Sequence, residues 1–365
     1  MTVSLQCANL MKRYPGQDVA FGEDEDGVSF EVEKGELFAL IGPSGCGKTT
    51  TLRLIGGFVM PDRGSIRIEG ADITAMQPYS RPTSTVFQNY ALFPHLRLDA
   101  NVAFGLKMRG VGKVERLKRA GEALELVGLA GMGHRKISEL SGGQQQRAAL
   151  ARALAVKPSV LLLDEPLGAL DLKLRRQMQD ELANLKKETA TTFIHVTHDQ
   201  EEACAIADRI AVMDRGRISQ IDAPRELYTA PRTTHVARFI NLGTIVKGFF
   251  KRTDGMIELS KSGLTLRGAA PGWLGRGVAV AAVIPRSAMK VSLDPVSDVN
   301  ATSGVVERCV FTGTQYDLIV RTPAVDSLHV STGAKDLGDL GPGSTVSLSW
   351  RAEDVIFVED TDGVD

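Results

Sequence analysis

A doubly wound α/β domain followed by a small all-β domain is the fold class that the sequence predicts, and three observations predict it. Over residues 1–240, short apolar runs alternate with helical patterns, the order in which parallel strands and crossover helices follow one another. After Asn241 the helical patterns thin out, and short strand-like segments separated by Gly and Pro turns take over. The 365 residues are also more than one core usually organises. The predicted division is a first domain over 1–240 and a second over 241–365.

In the first domain Val28–Val32 reads as an early strand, and Leu37–Ile41 as a strand that runs into a helix from Lys48. Val160–Leu163 precedes a helix from Asp171, and Phe193–Val196 precedes one from Gln200. Continuous apolar runs of this length are what parallel strands buried on both faces look like. In the second domain the strand candidates are Thr244–Phe250, Val278–Ile284, Val305–Phe311, Tyr316–Arg321, Thr345–Trp350 and Val355–Val358. Thr345–Trp350 alternates cleanly, with Val346, Leu348 and Trp350 on one face, and Gly341-Pro342-Gly343 punctuates the chain before it. A barrel or sandwich follows from that pattern.

Composition excludes several function classes. Basic and acidic residues number 43 and 44, for a formal net charge of −1, so there is no basic field to hold nucleic acid. Cys7, Cys46, Cys204 and Cys309 form no CxxC pair and have no His nearby at zinc-ligand spacing. That argues against a disulfide framework or structural zinc, and for a reducing compartment. The longest apolar stretches, such as Val278–Pro285, fall far short of the roughly 20 residues that a membrane span needs. Met1–Leu10 lacks the basic and apolar regions of a signal peptide. Neither a membrane span nor secretion by that route is expected.

Gly42-Pro43-Ser44-Gly45-Cys46-Gly47-Lys48-Thr49 fits GxxxxGK[ST] between an apolar strand and a helix, the context that the motif requires. Its glycines let the backbone wrap until successive N–H groups share one concavity, and the helix adds its positive end there. A triphosphate fits that cradle. Gly42 to Thr50 would surround it, Lys48 would reach the β- and γ-phosphates, and the Thr49 hydroxyl would ligate the Mg2+ that the nucleotide carries.

Val160–Leu163 ends in Asp164-Glu165-Pro166, two carboxylates where a central parallel strand opens on a ligand crevice. Asp164 is placed to hold the metal through water, and Glu165, pointing elsewhere, to polarise the attacking water as a general base. A second phosphate device is Leu140-Ser141-Gly142-Gly143-Gln144, ahead of the helical run Gln145–Val156. Ser141 reads as an N-cap, and the amides of Gly142 and Gly143 form another anion site. Either both cradles serve one nucleotide within a chain, or one chain's second cradle completes the first cradle of another. Spacing leaves both arrangements open.

Together these residues resemble the ATP-binding subunits of ABC transporters. Leu140–Gln144 reads LSGGQ, the signature of that family, and stands in family order between the P-loop and Asp164-Glu165. The resemblance covers about residues 1–240. It implies a RecA-like P-loop core with an inserted helical subdomain at about 90–155, ATP and Mg2+ as ligands, and a head-to-tail homodimer. In that dimer each ATP lies between one chain's P-loop and the other's signature, including Gln144. Roles follow residue by residue: Tyr14 would stack on adenine, and Gln88, in Val86-Phe87-Gln88, would contact magnesium and the attacking water. His198, in His198-Asp199-Gln200-Glu201-Glu202-Ala203, would contact the γ-phosphate. Asp171, in Gly168-Ala169-Leu170-Asp171, would couple the two sites, and as a helix N-terminal carboxylate it is also favourable on dipole grounds. Asn89–His95 resembles the surface that receives a permease's coupling helix. The implied partners are two integral-membrane permease subunits and a periplasmic or surface substrate-binding protein, with the chain peripheral on the cytoplasmic face of the inner membrane and no nucleic acid involved.

The second domain resembles, more loosely, the OB-like TOBE domain of importer ATPases from the maltose, ferric-iron and polyamine branches. The wording of Pro166–Gln179, Gln200–Ala203 and Val310–Gln315 is most similar to spermidine/putrescine importers. Polyamines are therefore the expected cargo, ahead of ferric iron or sugars. A soluble ABC ATPase outside transport and a nucleotide-binding sensor without turnover are the remaining classes, and intact Lys48, Asp164, Glu165 and His198 argue against the sensor. Two departures stand out. Gly22–Glu25 adds an acidic turn, read as a solvated hairpin tip, and Ile284-Pro285-Arg286-Ser287 stands where relatives often have Arg-Pro-Glu. Cys46, inside the electropositive P-loop, is expected to have a lowered thiol pKa.

Overall fold

The computed structural model describes residues 2–14, 21–22, 26–168, 171–253, 256–261, 264–269, 271–272, 279–296, 300–333 and 340–361. The acidic residues 23–25, with Ala169 and Leu170, lie outside them. Two compact units are present, Met1–Pro224 and Arg225–Asp365, and each is described by itself.

A six-stranded sheet organises the first unit, in the order Arg217–Asp222, Arg209–Asp214, Leu37–Ile41, Thr192–Val196, Val160–Asp164 and Thr83–Val86. Arg217–Asp222 runs antiparallel to its neighbour, and the other pairs are parallel. All of Leu37–Ile41 and Thr192–Val196 is buried, as is Val160–Leu163, which explains why the first and third read as unbroken apolar runs, while the second buries the polar His195 as well. Alternate residues serve opposite faces. Phe38, Leu40 and Leu162 pack with Leu52 and Ile55 of the helix Lys48–Gly56 and with Leu5, Phe30 and Ile66 of a separate antiparallel sheet. Leu37, Leu161, Leu163 and Phe193 pack instead with Leu98, Val102, Leu124, Leu150, Met178 and Leu182.

That second layer is helical. Between Thr83–Val86 and Val160–Asp164 lie the helices Leu98–Val102, Phe104–Met108, Lys113–Leu126 and Gly142–Ala155. The carbonyls that end the helix Lys48–Gly56 are met by the buried guanidinium of Arg81, which donates to Leu54 O (2.7 Å) and Ile55 O (2.8 Å) as well as to Thr74 O and Met76 O. A cation there complements the negative end of the helix dipole.

Among the described residues, the second unit holds three antiparallel sheets. One orders Gly243–Lys247, Val280–Pro285 and Ile356–Glu359, and another Phe249–Thr253, Met256–Lys261 and Leu264–Ala269. The third orders Lys290–Ser292, Thr345–Trp350, Asn300–Phe311, Gln315–Arg321 and Leu328–Gly333. Val346, Leu348 and Trp350 all enter the core of this unit.

Two expectations are corrected here. Thr244–Phe250 is not one strand: the chain leaves the first sheet after Lys247 and enters the second at Phe249. The boundary expected at 240/241 lies at 224/225. The helix Thr234–Phe239 buries Val236 and Ala237, and Ala237 packs with Ala281, Val283 and Val358 of the strands that follow. A helical period made this segment read as part of the α/β domain, whereas its apolar side belongs to the β-rich unit.

Candidate functional site

The P-loop leaves the strand Leu37–Ile41 at Gly42 and enters the helix Lys48–Gly56 with Gly47 as its N-cap. Gly42, Gly45 and Gly47 have φ of 155°, 81° and 107°. A Cβ at Gly42 would lie 2.3 Å from the Met213 carbonyl oxygen, and one at Gly47 would lie 2.7 Å from the Phe21 ring. Backbone conformation and close packing both demand glycine at these two positions. Phe21, which the sequence reading passed over, therefore supports the P-loop, and nothing in the pattern around an isolated Phe marks it for that task. Pro43, Ser44 and Gly45 are exposed, and Thr49 and Thr50 are half-buried.

Lys48 is buried, with Nζ donating to Gly42 O (2.7 Å) and Pro43 O (2.9 Å), so its charge is held inside the loop. Cys46 Sγ lies 3.7 Å from the same ammonium. The expected lowering of the Cys46 thiol pKa is overturned: burial pushes it up and outweighs the opposing pull of Lys48. The packing that orders the loop also penalises a thiolate within it.

Asp164 and Glu165 end a strand that is separated from the P-loop strand only by Thr192–Val196. Burial raises the Asp164 pKa, the adjacent Glu165 charge adds to the effect, and Arg53 of the P-loop helix opposes it. Glu165 adopts φ 46°, a left-handed conformation that costs a non-glycine residue on the order of 1 kcal/mol. Its N–H donates to Val196 O at 2.9 Å, which holds that turn. The carboxylate is met from both sides: Gln88 Nε2 donates to Oε2 at 3.4 Å, and His198 Nδ1 lies 3.3 Å from Oε1. Three loops at the C-terminal ends of neighbouring parallel strands thus converge on one carboxylate, the place where α/β sheets take their ligands.

The second cradle is built differently. Ser141 caps the helix Gly142–Ala155, with Oγ accepting from Gln144 N–H (3.4 Å) while Gln144 Oε1 accepts from Ser141 N–H (3.0 Å). This is a reciprocal capping box. Gly142 is exposed with open space around it, and a Cβ at Gly143 would come within 3.0 Å of the Leu174 side chain. Asp171 caps the helix Leu172–Thr189 by accepting from Leu174 N–H at 2.9 Å. Among the described residues, no hydrogen bond joins Ser141 or Asp171 to the P-loop or to Glu165. Tyr14 is half-buried just past the strand Val3–Met11, beside residues 15–20, which are outside the described ones.

Among the described residues no three of His, Cys, Asp and Glu gather as a self-sufficient metal site. The donors that the sequence assigns to a metal are the Thr49 hydroxyl, the Asp164 carboxylate and the Gln88 amide. An all-oxygen, sparsely charged set of this kind fits Mg2+, which keeps waters and phosphate oxygens among its ligands.

Residues 26–168 match the ABC transporter family, and residues 288–358 match the TOBE domain family. Over 98% of its length the chain is 45% identical to the spermidine/putrescine import ATP-binding protein PotA of Rubrobacter xylanophilus, and it covers 94% of that protein. The chain belongs to the ATP-binding proteins of ABC transporters. This ABC ATPase is also 42% identical to the protein of the same name in Acetivibrio thermocellus, with 97% and 96% of the two chains covered. Against the one in Acidothermus cellulolyticus identity is 46%, over 89% and 86%. A solved relative is the ATP-binding cassette MJ0796, in a dimeric post-hydrolysis structure bound to ADP and Pi; it is 31% identical, with a TM-score of 0.53 over 60% of this chain and 99% of that one. Nucleotide binding and ATP hydrolysis are the chemistry of the first unit, and a TOBE domain of antiparallel strands follows it. Among the described residues of this ABC ATPase, no helix is long and apolar enough to cross a membrane.

Proposed function

We propose that this ABC ATPase is the energy-coupling subunit of an importer whose cargo is a polyamine, spermidine or putrescine. Near-full-length similarity to several import ATP-binding proteins of that name supports the cargo. The observation that carries the hydrolytic role is the Glu165 carboxylate between Gln88 and His198.

Gly42, Pro43, Ser44, Gly45, Cys46, Gly47 and Thr50 surround the triphosphate of ATP, Lys48 meets the β- and γ-phosphate oxygens, and Tyr14 stacks on the base. Thr49, Asp164 and Gln88 would hold Mg2+, which when bound draws negative charge off the phosphates. Glu165 accepts a proton from water while the water oxygen attacks the γ-phosphorus; the bond to the bridging oxygen breaks, and ADP leaves with its electron pair. His198 and Gln88 fix the orientation of the carboxylate that does this. Ser141, Gly142, Gly143 and Gln144 serve the nucleotide of a second copy in a homodimer, with Asp171 at that boundary. The dimeric state of the solved relative supports the arrangement. Two permease subunits and a substrate-binding protein complete the importer, with the ATPase peripheral on the cytoplasmic face of the inner membrane.

Uptake of labelled spermidine and putrescine, beside ferric iron and maltodextrin, tests this in source cells carrying the native chain or Glu165→Gln. Selective loss of polyamine uptake is the expected result. Loss of another substrate's uptake would replace the cargo, and no change in any uptake would move the chain to a role outside transport.

A further inference from the structure

We propose that Arg175 and Asp199 form a clamp that positions His198, tying it to the helix that begins at Asp171. The inference rests on the reading of Glu165 and His198 as the hydrolytic pair.

His198 is the exposed middle residue of Thr197-His198-Asp199, the span between the strand Thr192–Val196 and the helix Gln200–Ile206. Its imidazole faces Glu165, so where it sits depends on how the backbone is held on either side. On one side Thr197 N–H donates to Leu40 O (3.3 Å), and the Thr197 hydroxyl donates to Glu202 Oε2 (3.2 Å). Glu202 is itself buried, with Oε1 2.7 Å from Nε2 of the equally buried His195. On the other side Asp199 N–H donates to the Thr197 hydroxyl (3.0 Å), and Asp199 Oδ1 accepts from Glu202 N–H (3.0 Å), capping the next helix.

These bonds are internal to the strand, turn and helix that carry His198, apart from the one to Leu40. The remaining oxygen of Asp199 reaches outside: Oδ2 accepts from Arg175 Nη1 at 2.9 Å. Arg175 stands in the first turn of the helix Leu172–Thr189, and its N–H donates to Asp171 O at 2.8 Å. The helix that Asp171 caps and the turn that carries His198 are therefore joined by one ion pair. A displacement of the Asp171 turn pulls on Asp199, and through it on the His198 backbone. Both partners are partly exposed, so the pair contributes little to folding. Its effect is expected in the alignment of the reacting groups, where small displacements are felt strongly.

The test is steady-state ATP hydrolysis by the full-length chain carrying Arg175→Gln, Asp199→Asn, both together, or Arg175→Lys, with the thermal midpoint of each. Asp199→Asn keeps an oxygen for the helix cap and removes only the charge that Arg175 meets. Each single substitution is expected to lower kcat by about tenfold with KM for ATP changed less than about twofold, and the double variant should lose no more than the worse single one. Arg175→Lys should recover most of the rate, because it keeps the charge. Native kcat in folded single variants, multiplied losses in the double variant, or a loss confined to KM would each overturn the clamp. Glu165→Gln run in parallel separates the two readings. If it keeps native turnover, the site assignment falls. If it is inactive while the Arg175 and Asp199 variants are unimpaired, only the clamp falls.

Discussion

Gly42–Thr49 and Leu140–Gln144 both offer backbone N–H groups at the start of a helix, yet the two cradles are held by different forces. In the first, Gly42 and Gly47 sit in left-handed conformations against the Met213 carbonyl and the Phe21 ring, and Lys48 is folded onto the loop's own carbonyls. In the second, an ordinary capping box orders the turn, and Gly142 faces open space. One cradle is inseparable from the core beneath it, whereas the other is a helix end presented outward. The difference teaches which substitutions report on folding and which on chemistry.

The largest expected effect is at Gly42. Gly42→Ala places a methyl group against backbone that cannot move aside, and should destabilise the first unit by about 2–4 kcal/mol in denaturant unfolding. Native stability in that variant would break the comparison. Gly142→Ala sharpens it from the other side. Stability should stay within about 0.5 kcal/mol of native, because the added methyl meets nothing. ATP hydrolysis should nonetheless fall by about tenfold, on the order of 1.4 kcal/mol of barrier.

Asp164→Asn gives a smaller change whose sign follows from its environment. Burial raises the folded-state pKa of this carboxyl, so the folded chain binds the proton more tightly than the unfolded one. That contribution is fully present below the ordinary carboxylate range and is lost as pH rises through the folded pKa. At pH 7 the ionised group is a net cost to folding. The Asn variant should therefore melt higher than the native chain at pH 7, with the gap closing toward about pH 4 as the native carboxyl takes up its proton, and should not hydrolyse ATP. An unchanged midpoint at both pH values would show that Asp164 is solvated rather than buried. The smallest effect concerns Cys46, whose thiol is buried with a raised pKa. Iodoacetamide followed by peptide mass mapping should modify the half-buried Cys204 and Cys309 before Cys46. Fastest labelling at Cys46 would mean that the loop opens more readily than its packing implies.

The legible parts of the site were those written in consecutive residues. The P-loop, Leu140–Gln144 and Asp164-Glu165 each present their proposed chemistry within a few positions, next to a strand or helix that local patterning reveals. Gln88 and His198 have no such local signature and were reached only through resemblance. Phe21 beneath Gly47, Arg81 at the end of the P-loop helix and Arg175 against Asp199 could not be read at all, because each partner lies at least 24 residues away along the chain. The hairpin Met256–Ala269 also went unread, along with the sheet change at Gly248, since alternation specifies which face a residue takes and not which sheet it joins.

By itself the sequence determined the alternation of buried parallel strands with helices, the switch to β-structure, and the residue types proposed to meet phosphate, because periodicity and turn chemistry act over a handful of residues. The tertiary structure alone decided that Glu165 stands between Gln88 and His198, that the β-rich unit takes the helix Thr234–Phe239, and that the P-loop cysteine is a poor acid. Those outcomes depend on which distant segments pack together, and packing sets both distance and the local cost of charge.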